Sequence, residues 1–346
     1  MVKFKIASRI VGDNYPPLVI AEIGINHSGS LDLAIALADA AISGGAEIIK
    51  HQTHIIDEEM SEEAKKVIPG NAKISIYEII KKCALSENEE KLFCNHIQSK
   101  KKIFISTPFS KKAVDRCIRL KVPAFKIGSG ECNNYHLVEY ITKFKLPIIM
   151  STGMNSIASI KKSVNIICKK KIPLALLHCT NIYPTPSHLV RLDCIQEIKN
   201  NYPNCLVGLS DHTENIFTSL AAISLGARII EKHFTDHKKR KGPDISSSMD
   251  TNELKMLIQG SKFIFEARGG KKVPLREEKK TIAFAFPSVV ATKNLNIGEK
   301  LSKNNISLKR PGGGDFGIKD MINLYGRKVV KEIKKNTQIN KKALTK

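Results

Sequence analysis

Residues 174–186 read LALLHCTNIYPTP, a short apolar run that gives way abruptly to Cys, Thr, Asn and Tyr. Leu174 to His178 is brief and rich in leucine, as a strand buried on both faces should be. The residues able to do chemistry crowd its C-terminal end. The same design recurs along the chain. The other runs are Leu18 to Ile23, Glu47 to His51, Ile103 to Ser106, Ala124 to Ile127, Pro147 to Ser151, Leu206 to Ser210 and Ile229 to Phe234.

Amphipathic stretches lie between the runs, among them Leu31–Ile42, Glu89–Ser99, Ile157–Cys168 and Asn215–Leu225. Strand and helix alternating eight times call for a parallel sheet with crossover helices. Eight such units in residues 1–268 suit an α/β fold of the TIM (β/α)8 barrel type, whose usual size is ~250 residues. The strand ends read EIGINH, KHQTH, STPF, KIGSGE, STGMNS, HCTNIYPTP, GLSDHT and EKHFTD. In such barrels that end carries the active site. A doubly wound open sheet is the main alternative, but no G-x-G-x-x-G turn follows the first strand.

The texture changes after residue 268. Arg268–Lys280 (RGGKKVPLREEKK) is Gly-, Lys- and Glu-rich, and residues 269–283 read as a linker. Residues 284–346, with a turn at Asn296-Ile297-Gly298 and the run RPGGGDFG, read as a small separate domain. A domain of ~60 residues is marginal alone and is expected to dock.

Composition removes several functions. The chain has 346 residues and a formal net charge of +23, but its lysines are scattered rather than gathered. With no Trp, 6% aromatics and no zinc-finger spacing, it lacks a nucleic-acid footprint. The 8 Cys include no C-x-x-C pair and read as reduced, mostly buried thiols. No signal peptide or membrane helix is expected, so the cytoplasm is the expected compartment.

Three constellations carry chemistry. His212 and His233 end the last two runs, and adjacent strands can bring the imidazoles together at one rim. Two neutral nitrogens, completed by water and substrate oxygens, suit Mn2+ or Mg2+. Two hydrogen-bonded core histidines are the plainer reading. Lys50 and Lys126, with Thr107, Ser129, Ser151, Asn181 and Ser210, form a pocket for a phosphate and a carboxylate. The alternative is a structural Lys–Glu pair using Glu47 or Glu131. Glu22, Glu131 and Asp244 form the acidic set. Glu22 can move protons or hold a Lys or His, and Asp244 can accept sugar hydroxyls or serve as a turn residue. The run His237–Lys241 reads as a solvated loop.

The strings EIGINHSGS, IIKHQTH, KVIPGNAKISIYEI, KIGSGECNNY, LLHCTNIYPTP, GLSDHT, GPDISSSM and KRPGGGDF together resemble the sialic acid (N-acetylneuraminate) synthase family over nearly the whole length. That resemblance implies a TIM barrel followed by an antifreeze-like (SAF, β-clip) domain, in a domain-swapped homodimer. It implies metal-dependent condensation of phosphoenolpyruvate with N-acetylmannosamine. Carried over by motif, His212 and His233 match the metal ligands and Glu22 the acid/base. Lys50, Thr107, Lys126, Ser129, Ser151, Asn181 and Ser210 match the phosphoenolpyruvate positions. Gln52, Asn71, Glu131, Tyr183, Asp244, Phe284 and Arg310 match the sugar side, with Arg310 reaching the partner's barrel. The departure ISSSM after Asp244 bears on the acceptor, so a diacetamido-trideoxy hexose leading to legionaminic or pseudaminic acid is the nearest rival. A Schiff-base aldolase using Lys126 and a non-catalytic binding module are the others.

Overall fold

The computed structural model describes residues 2–69 and 73–345. The chain divides into two compact units, Met1–Gly269 and Gly270–Lys346.

The first unit opens with an antiparallel hairpin, β1 (Lys3–Ile6) and β2 (Arg9–Gly12). Eight parallel strands follow: β3 (Leu18–Gly24), β4 (Ile48–Thr53), β5 (Ile103–Pro108), β6 (Phe125–Ile127), β7 (Ile148–Ser151), β8 (Leu174–Cys179), β9 (Leu206–Asp211) and β10 (Ile229–His233). Each pairs with the next, and β10 pairs with both β9 and β3, which closes the barrel. Closure removes the open-sheet alternative. Every apolar run read from the sequence is one of these strands, displaced at its ends by one or two residues.

Crossover helices cover the outside, and their starts are written in the sequence. Ser30, Ser86, Ser110, Asn134, Ser156 and Asp250 each accept a backbone N–H of the first turn. A cap of this kind contributes about 1 kcal/mol. A further helix, Ile76–Cys83, interrupts the rhythm between β4 and the crossover helix Glu87–Ser99.

The hairpin was not evident from the sequence. Phe4, Ile6 and Val11 share one apolar cluster with the inward residues Leu18, Ile20, Ile48, Ile105, Ile149, Leu177, Leu206 and Ile229. The hairpin therefore plugs the N-terminal end of the barrel. Its alternation (Lys3 and Lys5 out, Phe4 and Ile6 in) is the signal, but four residues make it faint.

The second unit holds an antiparallel pair, β11 (Ser288–Ala291) and β12 (Ile306–Lys309). It has its own core, including Val289, Leu295, Leu301, Ile306, Phe316, Val329, Ile333 and Leu344. The stretch expected to be a linker is partly structured: a helix spans Lys279–Ala285. Among the described residues no helix is long and apolar enough to cross a membrane.

Candidate active site

Period-two geometry builds the site. Along each barrel strand the inward residue near the plug is apolar, and the next inward residues are polar. Ile20 is followed by Glu22, Ile48 by Lys50 and Gln52, Ile105 by Thr107, Ala124 by Lys126, Ile149 by Ser151, Leu177 by Cys179, and Ile229 by Glu231 and His233. On β9 the inward series is Leu206, Gly208, Ser210, then His212 just past the strand. A Cβ at Gly208 would lie 2.2 Å from the Ile229 carbonyl oxygen, so only glycine fits that layer.

These polar ends surround one cavity of about 160 Å³, lined by Glu22, Lys50, Gln52, Thr107, Lys126, Ser129, Ser151, Asn181, Tyr183, Ser210, His212, Glu231 and His233, with Cys179 and Phe109. A second cavity of about 340 Å³ shares Gln52, Phe109, Tyr183 and His233, and adds Ile25, His54, Glu59, Met60, Ile76, Ile80, Glu131 and Asp244. The residues matched to phosphoenolpyruvate thus line the first space. Gln52, Glu131, Tyr183 and Asp244 line the second. Asn71 lies outside the described residues. Phe284 and Arg310 belong to the second unit, where both are exposed.

The floor is a chain of buried charges. Lys50 Nζ lies 2.5 Å from Glu22 Oε2 and 3.7 Å from Glu231 Oε1, while Lys126 Nζ lies 3.4 Å from the same Glu231 oxygen. Lys50 also donates to Thr107 Oγ1 at 3.1 Å and Lys126 to Ser151 Oγ at 2.8 Å. Burial pushes the Glu22 carboxyl up to about 7; Lys50 opposes the rise and Glu231 adds to it. Burial also pulls Lys126 below the usual ammonium value, although Glu231 resists. Lys50 stands above its ordinary value, since Glu22 and Glu231 outweigh burial.

The lysine partners differ from those expected. Glu47 pairs with Arg9 at the surface (3.0 Å), and Glu131 accepts from Asn134 (2.6 Å). Glu231 takes the role, and the sequence reading missed it. Its signal was register: two residues before His233, it must share that inward face.

The two histidines meet, their ring centroids 5.4 Å apart. His212 Nδ1 lies 3.0 Å from the Thr180 carbonyl and 3.8 Å from Cys179 Sγ, and Tyr183 Oη lies 3.1 Å from His212 Nε2. Burial works against charge on His212, but the Cys179 sulfur outweighs it and holds the ring above its usual value. His233 is held well below its usual value by burial, by His212 and by the lysines. Its Nδ1 is buried with no hydrogen-bond partner among the described residues, 3.7 Å from Asp244 Oδ2. Burial raises Asp244 to about 6.

Outward-facing polar residues brace the loop that carries His212. Asp211 accepts from Thr218 (2.7 Å), Ser219 (2.6 Å) and the Thr213 backbone (2.9 Å), and lies 3.6 Å from buried Lys232. The basic run after β10 is not simply solvated: Arg240 pairs with Asp236 (2.5 Å) and Lys238 with Glu253 (2.6 Å). All eight cysteines are free; Cys168 is exposed, Cys194 half-buried and the rest buried.

Comparison with known proteins bears on what such a rim does. A family model described as NeuB family matches residues 37–273, and one described as SAF domain matches residues 286–345. The chain is 39% identical over 306 residues to the N,N'-diacetyllegionaminic acid synthase of Campylobacter jejuni, covering 86% of this chain and 91% of that one. It is 33% identical to the N,N'-diacetyllegionaminic acid synthase of Legionella pneumophila, covering 95% and 94%. A solved N-acetylneuraminic acid (sialic acid) synthetase from Leptospira borgpetersenii superposes with a TM-score of 0.74 at 31% identity, covering 81% of this chain and 95% of that one.

Proposed function

The chain belongs to the NeuB family, and from that premise we propose that it condenses phosphoenolpyruvate with an open-chain N-acylated aldose to give a sugar acid and phosphate. The observation that carries this reading is the pair of buried ammonium groups, Lys50 and Lys126, ringed by Thr107, Ser129, Ser151 and Ser210 in one cavity. That set suits an anion with a phosphate and a carboxylate. An arriving phosphate competes with Glu22 and Glu231 for the same lysines.

The histidine pair fits a divalent cation. His233 offers a buried nitrogen with no partner among the described residues, and the Thr180 carbonyl takes the Nδ1 side of His212. Among the described residues no group of three or more His, Cys, Asp or Glu could hold an ion alone, so water and substrate oxygens complete the set. Mn2+ or Mg2+ held there would supply Lewis-acid polarisation of the acceptor aldehyde.

In the reaction, C3 of phosphoenolpyruvate attacks the aldehyde carbon while Lys50 and Lys126 hold phosphate and carboxylate in place. The aldehyde oxygen gains a proton and becomes a hydroxyl. Water adds to the cationic C2 and passes a proton to Glu22, which stands beside Lys50. The bond between C2 and the phosphate-bearing oxygen then breaks, the new C2 hydroxyl gives up its proton and becomes the ketone, and water's two protons end on the former aldehyde oxygen and on phosphate.

For the acceptor, the supporting observation is the wall of the larger cavity. Ile25, Met60, Ile76 and Ile80 line it, within or packed on one apolar cluster. The polar groups nearby, His54 and Glu59, are satisfied by each other at 2.9 Å. A terminal methyl suits such a wall, whereas a terminal hydroxyl directed at it would face apolar groups, the remaining polar lining (Gln52, Glu131, Tyr183 and Asp244) being left for the rest of the sugar. The reading is therefore a 2,4-diacetamido-2,4,6-trideoxy hexose, giving a legionaminic-type acid, as the names of the Campylobacter and Legionella relatives also favour. N-acetylmannosamine, giving N-acetylneuraminic acid, is the second reading, favoured by the likeness to the Leptospira synthetase. Phosphate release measured side by side separates them. With this apolar wall, kcat/KM should be about 10- to 100-fold higher for the trideoxy sugar, and a preference for N-acetylmannosamine would reverse the assignment.

The proposal extends to a cytoplasmic, domain-swapped homodimer in which Phe284 and Arg310 serve the partner's acceptor cavity. Family resemblance supports that arrangement.

A further inference from the structure

Between the two cavities runs a chain of hydrogen bonds that the reaction scheme leaves unused. Gln52 Nε2 donates to Glu22 Oε1 at 2.9 Å. Its amide oxygen lies 3.1 Å from His54 Nε2. His54 Nδ1 lies 2.9 and 3.2 Å from the two oxygens of Glu59. The side chains of His54 and Glu59 are each 4% exposed. The His54 ring is also stacked on Phe109, centroids 4.5 Å apart and planes 10° from parallel. The buried ring is held on three sides: one edge is tied to a carboxylate, one to an amide, and one face lies against an aromatic ring.

The polarity of the chain is fixed by its end. Glu22 offers a carboxylate oxygen, so Gln52 must turn its NH2 toward it. The reverse orientation would set the amide oxygen against a carboxylate oxygen. Gln52 then presents only an acceptor to His54, so His54 Nε2 donates to it while Nδ1 donates to the Glu59 carboxylate. A side-chain amide has two nearly isosteric orientations, and hydrogen bonds alone choose between them. His54 supplies the bond that selects one.

We propose that His54, held by Glu59 and Phe109, is a positioning residue that orients the Gln52 amide toward Glu22 and the acceptor. His54 does not itself touch Glu22. Its effect passes through Gln52, which lines both cavities. The kinetic part rests on the phosphoenolpyruvate-and-aldose reading of the site; the structural part does not.

A double-mutant cycle with a crystallographic arm tests it. In the phosphate-release assay, His54→Ala should lower kcat about tenfold, in line with the loss of other supporting hydrogen bonds, with the KM for phosphoenolpyruvate unchanged. Gln52→Ala should cost as much or more, and His54→Ala added to it should cost nothing further, because the two act as one unit. His54→Gln, which can still donate to Gln52, should recover most of the loss. Should His54→Ala fold poorly, Glu59→Gln loosens the same ring from the far side and should move kcat in the same direction. Multiplicative effects in the cycle, or a loss confined to the KM for phosphoenolpyruvate, would overturn the proposal. The crystal structure of His54→Ala should show the Gln52 amide turned away from Glu22. A Gln52–Glu22 bond unchanged in that variant would overturn the proposal whatever the enzyme's substrate. An unmodified enzyme that releases no phosphate would instead refute the reaction reading and leave the structural arm to decide the positioning role.

Discussion

Glu231 Oε1 lies 3.4 Å from Lys126 Nζ, at the bottom of a rim where both side chains are almost wholly buried. The same oxygen is 3.7 Å from Lys50 and accepts from Ser210 Oγ at 3.1 Å. One carboxylate thus keeps two ammonium groups at a working separation. Its other oxygen, Oε2, has no hydrogen-bond partner among the described residues.

Removing that charge should separate stability from anion binding. Glu231→Gln leaves two buried lysines facing each other with only Glu22 to offset them. Breaking a buried pair from one side costs about 3–5 kcal/mol, so the melting temperature should fall clearly. The emptied pocket becomes more positive, and phosphoenolpyruvate should raise the variant's melting temperature by more than it raises the parent's. Thermal melts with and without phosphoenolpyruvate check both signs.

Replacing Lys126 with Met keeps the stem and deletes the charge. Catalytic efficiency toward phosphoenolpyruvate should fall at least about a hundredfold, equivalent to about 2.7 kcal/mol. A Schiff-base enzyme would also be disabled by this change. Borohydride with substrates tells them apart, since the condensation reading expects no covalent adduct on Lys126.

His233→Gln should abolish turnover without lowering the melting temperature. The imidazole is buried with its Nδ1 unpartnered among the described residues, so the native fold gains little from it. Treating the parent enzyme with EDTA should likewise stop phosphate release, and Mn2+ or Mg2+ should restore it. Activity that survives both changes would remove the cation from the account.

Acid should destabilise the barrel through histidines buried in neutral form. His27 is fully buried and pushed down to about 3, first by burial and then by His51 and His54. Burial shifts His178 in the same direction. An unfolded histidine titrates near ~6.5, so below that pH the unfolded chain binds more protons than the native one. Stability is full above about pH 6.5 and falls as pH drops toward 3, by up to about 1.4 kcal/mol per unit for each such group. His27→Gln should have a lower melting temperature at pH 7 and a shallower decline toward pH 5. Equal slopes would show that His27 carries none of the acid sensitivity.

Much of this was legible before any coordinates. Long-range order was written locally: each barrel strand is an apolar run, and several crossover helices start at a capping residue such as Ser86 or Asp250. The rim could be read because a parallel barrel puts all strand ends on one side, so Lys50 and Lys126 had to be near each other. Their partner could not be read from strand ends alone. Glu231 lies one inward step below the rim, and only the register with His233 reveals it. Glu47 was excluded by a similar detail, since it precedes β4 and reaches Arg9 instead. The His54 chain was hidden because it joins the end of β4 to a single helical turn, Ile56–Glu59, too short for a periodicity to show. The hairpin plug escaped because two four-residue strands hold too few alternations to stand out.

The most direct test of the condensation follows one oxygen atom. Phosphoenolpyruvate labelled with 18O at the C2–O–P bridge is mixed with the enzyme, Mn2+ or Mg2+, and 2,4-diacetamido-2,4,6-trideoxymannose, and the released phosphate is weighed by mass spectrometry. Cleavage between carbon and oxygen predicts that the phosphate carries the label and is released only when the sugar is present. Unlabelled phosphate, or release without any sugar, would contradict the account.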